Sequence, residues 1–310
     1  MSKCIIFGGN GFLGSHLADK LAENGFDVYI FDKFSRKFPF MRSDIKFIKG
    51  DFFDSTSIEE ALDGMNYVFH FISTTNPVTS MNDPIFDIES NIKCSVKLFQ
   101  LCVKKNIDKI VFSSSGGTVY GNILKVPVKE IDSCNPINPY AIGKLTIENY
   151  LRYFNYLYGI DYKILRYSNP YGEGQNPSGE QGVIPIFLNK IMNDERPVVY
   201  GDGSAIRDYI YITDAIDATL AAVLKGKNFN TFNIGSGVGI SINSLLKVIS
   251  DVVGKDVNPD FREGSPAYIP KIILDISRLT QETGWKPRWD IRKGVERTWE
   301  WINQLQEIKC

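Results

Sequence analysis

The stretch Lys3–Leu17, KCIIFGGNGFLGSHL, decides the fold: an apolar run stops on glycine, passes two more glycine turns and resumes with helical periodicity. Gly8, Gly11 and Gly14 stand at three-residue spacing between a predicted strand and a predicted helix that opens with Phe12 and Leu13. Glycine permits a tight turn and lets the backbone approach a pyrophosphate closely. The following helix then supplies unpaired N–H groups and a positive dipole end. A glycine loop alone is a weak signal, and its strand–loop–helix context turns it into a dinucleotide-binding signature. Asp32 ends the next apolar run, where a carboxylate accepts hydrogen bonds from both ribose hydroxyls of NAD and repels a 2′-phosphate. Lys33, Arg36 and Lys37 follow it, and NAD is the expected cofactor.

On the C-terminal side of this loop, short apolar runs (27–31, 45–50, 67–72, 109–114, 162–166) alternate with helical patterns (12–24, 55–63, 84–105, 139–158). Apolar strands without polar alternation, separated by helices, predict an α/β fold: a doubly wound parallel sheet of the Rossmann type. Ligands of such a sheet sit beyond the carboxyl ends of its strands. After Arg166 a Gly/Pro/Asn-rich loop (169–182) leads into shorter, mixed elements: helix 183–193, strand 198–200, RDYIYI, helix 213–224, TFNIGSG and three further helical patterns (241–253, 276–283, 291–305). They predict a smaller mixed α/β C-terminal substrate domain. The expected division is residues 1–168 for the dinucleotide and 169–310 mainly for substrate, with a return to the first domain near 208–235.

The 310 residues are 43% apolar and 23% charged, with net charge −1 and scattered Lys and Arg. No nucleic-acid partner is expected from that balance. Five cysteines without C-x-x-C spacing read as reduced thiols, and with only two histidines no metal site is expected. No apolar run reaches the roughly 18 residues of a membrane span. With no signal peptide ahead of the first strand, a cytoplasmic protein is expected. His16 reads as a solvent-facing helix residue and His70 as packed in its strand.

Two further stretches carry chemistry: FSSSGGTVYG (112–121) and YAIGK (140–144). Removing a hydride from a carbinol requires removing its hydroxyl proton as well. Tyrosine can be the base only if its free pKa of about 10 is lowered, for example by a lysine ammonium. Tyr140 and Lys144 are four apart and so share one helix face, Pro139 puts that face near the helix start, and a strand-end serine can hydrogen-bond the same substrate oxygen. Ser115 and Ser114 are both candidates for that serine.

Together with GDFFD, VFHFIS, SNIKCSVKLF, LRYSNPYG, VIPIFLNKI, VYGDGSAIRDYIYITD and ILDISRL, these blocks resemble the NAD-dependent epimerase/dehydratase family of extended short-chain dehydrogenases/reductases, in its UDP-hexose 4-epimerase branch, over essentially the whole chain. The resemblance implies that Ser115, Tyr140 and Lys144 are catalytic. It places Asp51 and Phe52 at the adenine, Phe71, Ile72 and Ser73 along the cofactor, Asn91 in the proton network, and Tyr167 and Ser168 beside the nicotinamide. It implies that Asn169, Gly182, Val183 and Arg207 hold the sugar diphosphate and that Val198 to Tyr200 pack on uracil. The second diphosphate arginine of the family falls on Ser265, with Arg262 three residues earlier and Tyr268 in the same segment. Ser115 keeps the family's 25-residue spacing to Tyr140, although the serine block carries one extra residue, and Ser168 replaces a common phenylalanine.

The implied activity is epimerisation at C4 of a UDP-hexose through a transient 4-keto sugar, with NAD regenerated at each turn. Dehydratases of the family carry Asp-Glu where this chain has Gly116 and Gly117, and decarboxylases carry a glutamate where it has Thr118. A 4-reductase, dehydratase or decarboxylase remains the alternative, and a non-catalytic NAD-binding protein is a third reading. The resemblance also implies a homodimer through helices 84–105 and 139–158.

Overall fold

The structure, a computed structural model, describes residues 1–34, 38, 41–179, 181–264 and 269–307. Strand β1 (Lys3–Phe7) is followed by α1 (Phe12–Glu23), β2 (Asp27–Asp32), β3 (Lys46–Lys49), α2 (Ser55–Ala61) and β4 (Tyr67–His70). Next come α3 (Thr79–Asn82), α4 (Pro84–Asp87), a π-helical turn (Ile88–Lys93), α5 (Cys94–Lys104), β5 (Lys109–Ser115), α6 (Pro139–Tyr158) and β6 (Asp161–Tyr167). The remainder is β7 (Asn169–Tyr171), α7 (Val183–Met192), β8 (Val198–Tyr200), β9 (Ile206–Tyr211), α8 (Ile212–Lys225), β10 (Thr231–Ile234), β11 (Gly239–Ser241), α9 (Ile242–Val253), β12 (Asp260–Arg262), α10 (Ser277–Thr283) and α11 (Ile291–Glu307).

Seven strands form one parallel sheet in the order β10-β6-β5-β4-β1-β2-β3. Successive residues of β1 feed opposite faces: Cys4 and Ile6 enter one hydrophobic cluster, Ile5 and Phe7 the other, all fully buried. A strand with two buried faces has no room for polar alternation, which is why these runs read as continuously apolar. Each such side chain contributes about 1.5–3 kcal/mol. The chain moves outward from β1 through β2 to β3, then crosses to β4 on the other side. This switch opens a crevice at the carboxyl ends of β1 and β4. A three-stranded mixed sheet (β11-β9-β7) and a parallel pair (β12-β8) build the smaller layer.

The single helix expected over 84–105 is a continuous helical run with a π-helical middle. Side-chain hydroxyls compete for main-chain carbonyls there: Ser90 Oγ donates to Phe86 O at 2.6 Å and Ser95 Oγ to Asn91 O at 2.5 Å. His70 is packed, 1% exposed. His16 is not solvent-facing as expected: its Nε2 lies 2.7 Å from the Glu173 carbonyl, tying α1 to the loop ahead of α7, and burial lowers its pKa. Among the described residues no helix is long and apolar enough to cross a membrane.

Candidate active site

At the crevice, Gly8 has φ +83, and a Cβ there would lie 2.9 Å from Ile72 N. A Cβ on Gly14 would lie 2.3 Å from Gly8 O, so α1 packs directly on the loop. Gly11 caps α1 without a side-chain hydrogen bond, leaving that helix end to a ligand. The Asp32 carboxylate is fixed at the end of β2 by Asn10 N at 3.0 Å and Phe34 N at 3.3 Å. An uncapped helix end, a loop with no space for side chains and a carboxylate beside it fit the pyrophosphate and ribose of NAD.

Lys33 pairs with Asp51 at 3.4 Å, and Asp51, which also accepts from Phe53 N, has its pKa lowered by that backbone bond first and by Lys33 second. The Phe52 ring packs into the core against Phe7 and His70, 6.1 and 5.3 Å between centroids. Phe71 and Ile72 stand at the end of β4, with the Phe71 ring against Tyr167. Ser73 is exposed, its Oγ on Thr75 O. Arg36 and Lys37 lie outside the described residues.

Opposite, Asn138 caps α6 by accepting from Ala141 N, and Pro139 starts the helix. Tyr140 is thereby held in the first turn, its own N–H on Ser80 Oγ at 3.1 Å. Ser115, at the end of β5, lies close enough to the Tyr140 phenol to draw its pKa down. Its Oγ also accepts from Thr118 Oγ1 at 2.9 Å. Ser114 faces the other way, donating to the buried Glu148 at 2.6 Å, which leaves Ser115 as the serine of the site. Lys144 Nζ donates to Ser113 O at 2.9 Å and lies 5.6 Å from the Tyr140 ring centre. Burial pushes the Tyr140 phenol up to about 12, drawn back by Ser115 and raised further by Asp87. Burial brings Lys144 down to about 8, against the raising influence of Asp87 and Glu148.

A cavity of about 560 Å³ runs from Phe12 and Leu13 past Ser115 and Tyr140 to Asn169, Gly182, Val183 and Arg207. Tyr167 borders it with its ring, while its hydroxyl is engaged with Thr219 at 2.5 Å. Ser168 Oγ is buried without a partner in the cavity wall. Asn169 is oriented by donating to Asp208 O at 2.9 Å. Gly182 has φ +96 and packs against the Gln175 amide, a wall residue the sequence motifs did not single out. Val198, Tyr200 and Arg262 are not brought into this cavity: they lie on the β8–β12 pair, Tyr200 beside Arg262, and both of those side chains are exposed. Ser265 and Tyr268 lie outside the described residues. Asn91 is hydrogen-bonded to Thr74 N, Thr75 and Asp87, one layer behind the Tyr140 wall. Asp87 and Gln175 belong to none of the motifs that the sequence singled out.

Fold and site together define a Rossmann-type protein with a serine, a tyrosine and a lysine gathered at the rim of its dinucleotide crevice. The sequence model of the NAD dependent epimerase/dehydratase family matches residues 4–235. The chain is 37% identical over 308 residues to a putative UDP-glucose 4-epimerase of Methanocaldococcus jannaschii, covering 96% of this chain and 97% of that one. The structure of a UDP-glucose 4-epimerase from Thermotoga maritima with UDP-glucose superposes with TM-score 0.93 at 35% identity, covering 98% and 99%. That of a UDP-N-acetylglucosamine 4-epimerase from Methanobrevibacter ruminantium in complex with UDP-N-acetylmuramic acid gives 0.90 at 34%, covering 98% and 99%. This chain belongs to the NAD-dependent epimerase/dehydratase family, and its cofactor is NAD.

Proposed function

We propose that the protein epimerises C4 of a UDP-hexose, UDP-Glc/UDP-Gal or UDP-GlcNAc/UDP-GalNAc, through a transient 4-keto sugar. The observation that carries this reading is that Ser115 and Tyr140 line one cavity together, with Lys144 Nζ 5.6 Å from the Tyr140 ring centre, and that the cavity also reaches Asn169 and Arg207. NAD, when bound, supplies a reversible hydride acceptor and a positive charge that favours the phenolate. Tyr140 takes the C4 hydroxyl proton and later returns it; Ser115 hydrogen-bonds the same oxygen; Lys144 favours the phenolate and holds the nicotinamide ribose. Arg207 offers a guanidinium fork to the diphosphate. Outside that cavity, Val198 and Tyr200 are the residues proposed to pack on uracil, and Arg262, paired with Tyr200 on the neighbouring strand, is the proposed second diphosphate arginine. The seven-stranded sheet serves the dinucleotide and the elements after Ser168 mainly the sugar nucleotide.

The alternative, dehydration, is disfavoured by space as well as chemistry. A Cβ at Gly116 would lie 2.7 Å from Leu274 Cδ1 and 2.8 Å from Arg166 O, so the first of the dehydratase's two acidic side chains does not fit. The test is turnover of UDP-Glc, UDP-GlcNAc and UDP-GlcA with catalytic NAD. Epimers without net NADH support the reading; released CO₂, a deoxy-keto sugar or stoichiometric cofactor use overturns it. Tyr140→Phe should lose at least ~10²–10⁴-fold in kcat, the usual contribution of a general base.

A further inference from the structure

We propose that Asp87 is a positioning residue of this site: its buried carboxylate, pinned by Thr75 and Asn91 against the glycine turn of α6, keeps Lys144 charged and fixes the turn that carries Tyr140. This rests on the role of the Tyr140 and Lys144 pair proposed above. Asp87 is 2% exposed. Its Oδ1 accepts from Asn91 Nδ2 at 3.0 Å and from the Thr75 hydroxyl. Asn91 Nδ2 also donates to Thr75 Oγ1 at 3.0 Å, and Asn91 Oδ1 accepts from Thr74 N at 3.0 Å. The carboxylate is therefore locked to the segment that leaves β4.

Its other oxygen faces α6. A Cβ built on Gly143 would lie 3.0 Å from Asp87 Oδ2. Glycine inside a helix costs about 1 kcal/mol relative to alanine. The glycine of YAIGK thus opens the helix surface for this carboxylate, one residue from Lys144. Both hydrogen-bond donors to Asp87 are neutral. An ionised carboxylate sealed from water costs several kcal/mol unless a cation faces it. The groups bearing on Lys144 are Asp87 from α4, Glu148 and Tyr140 from its own helix, and His70 from β4, whose own pKa Lys144 depresses. Asp87 is the larger of the two carboxylate influences on Lys144 and also raises Tyr140. One fixed negative charge therefore biases both members of the pair toward protonation, while hydrogen bonds hold its carrier still.

The sign is testable. Asp87→Asn keeps the side chain's size and removes its charge, so Lys144 and Tyr140 should both lose their protons more easily. NAD titrated calorimetrically into cofactor-stripped protein from pH 6 to 9.5 reads Lys144 independently of which sugar is turned over. Wild-type affinity should fall as pH rises through the Lys144 transition, near 8. In Asp87→Asn that fall should move to lower pH by roughly one unit, the low end of what removing one opposite charge near an ionisable group produces. Both limbs of the kcat profile should move the same way. Gly143→Ala, which favours the helix but crowds Oδ2, should shift both in the same direction by less, and it serves if Asp87→Asn does not fold. Weaker binding at every pH with unmoved midpoints in the folded variants would overturn the proposal. Wild-type protein that binds NAD with the expected pH dependence but turns over no sugar nucleotide would instead refute the proposed function and leave Asp87 standing.

Discussion

His70 shows how one residue can make a fold sensitive to acid. Its Nε2 is 2.7 Å from Ser95 Oγ, and Ser95 spends its own proton on Asn91 O. Nε2 must therefore carry the ring proton, and Nδ1, buried without a partner, is bare. Burial first, and the Lys144 charge second, bring the imidazole down to about 3 from 6.5. The folded state thus binds fewer protons than the unfolded one between those values. The stability this gives is complete above pH 6.5 and is lost as pH falls toward 3, at about 1.4 kcal/mol per unit. His70→Gln can keep a donor toward Ser95 without titrating. Urea unfolding between pH 7 and 4 should show a wild-type slope steeper than the variant's by about one proton. The sequence marked His70 as packed from its apolar run. It could not show that the ring proton is fixed by a serine 25 residues away.

At the scale of elements, a buried ion pair sets the register of α6. Glu148, one turn beyond Lys144, accepts from Ser114 on β5 at 2.6 Å and from Arg166 on β6 at 3.0 and 2.7 Å. Arg166 continues to the Tyr120 hydroxyl at 2.9 Å, which donates to Asn233 on β10 at 2.7 Å. α6 is thereby fastened across β5, β6 and β10, and Ser115 and Tyr140 stay at one height on the sheet rim. Removing one partner of a buried pair leaves an uncompensated charge, which typically costs 3–5 kcal/mol. Glu148→Ala should lower unfolding stability by about that much in urea titrations, and far more than Glu300→Ala, whose side chain is exposed on the outer side of α11. The first six strands of the large sheet were legible within a residue or two, because strands buried on both faces announce themselves as unbroken apolar runs; the short β7, β11 and β12 were not read as strands. The helix ends were legible where chemistry marks them, as Asn138 and Pro139 do. The π-helical turn at Ile88–Lys93 was not, since it depends on which carbonyls Ser90 and Ser95 take. Glu148 and Arg166, 18 residues apart, carry no spacing signal, so the clamp emerges only once the sheet is assembled.

For the whole molecule, the seven-stranded order follows from the glycine loop and the strand–helix alternation, and the cluster of Ser115, Tyr140 and Lys144 from two short motifs. The cavity's far wall was harder to read: Gln175 and Asn76 reach it through loops whose paths no periodicity fixes. Surface chemistry carries one more expectation. Ile85 and Ile88 on the run from α4 and Ile142, Tyr153 and Leu157 on α6 are 49 to 66% exposed. These two helical runs pack together beside the sheet, so their outward apolar side chains form one face in place of scattered single residues. An exposed apolar face of this kind marks an association surface. A second copy of the same face is self-complementary under a two-fold axis, the commonest oligomer symmetry. The expected state is a homodimer with four helices at the interface. Tyr153 and Leu157 lie one turn apart, so replacing both with aspartate puts two like charges, four across the axis, into the contact. Light scattering at micromolar concentration should give the mass of two chains for the wild type and of one for the double variant. Neither Tyr153 nor Leu157 lines the cavity of Ser115 and Tyr140, so NAD affinity should survive in the monomer. A wild-type protein that scatters as one chain at that concentration would refute the dimer and leave the exposed apolar face of α6 without a function.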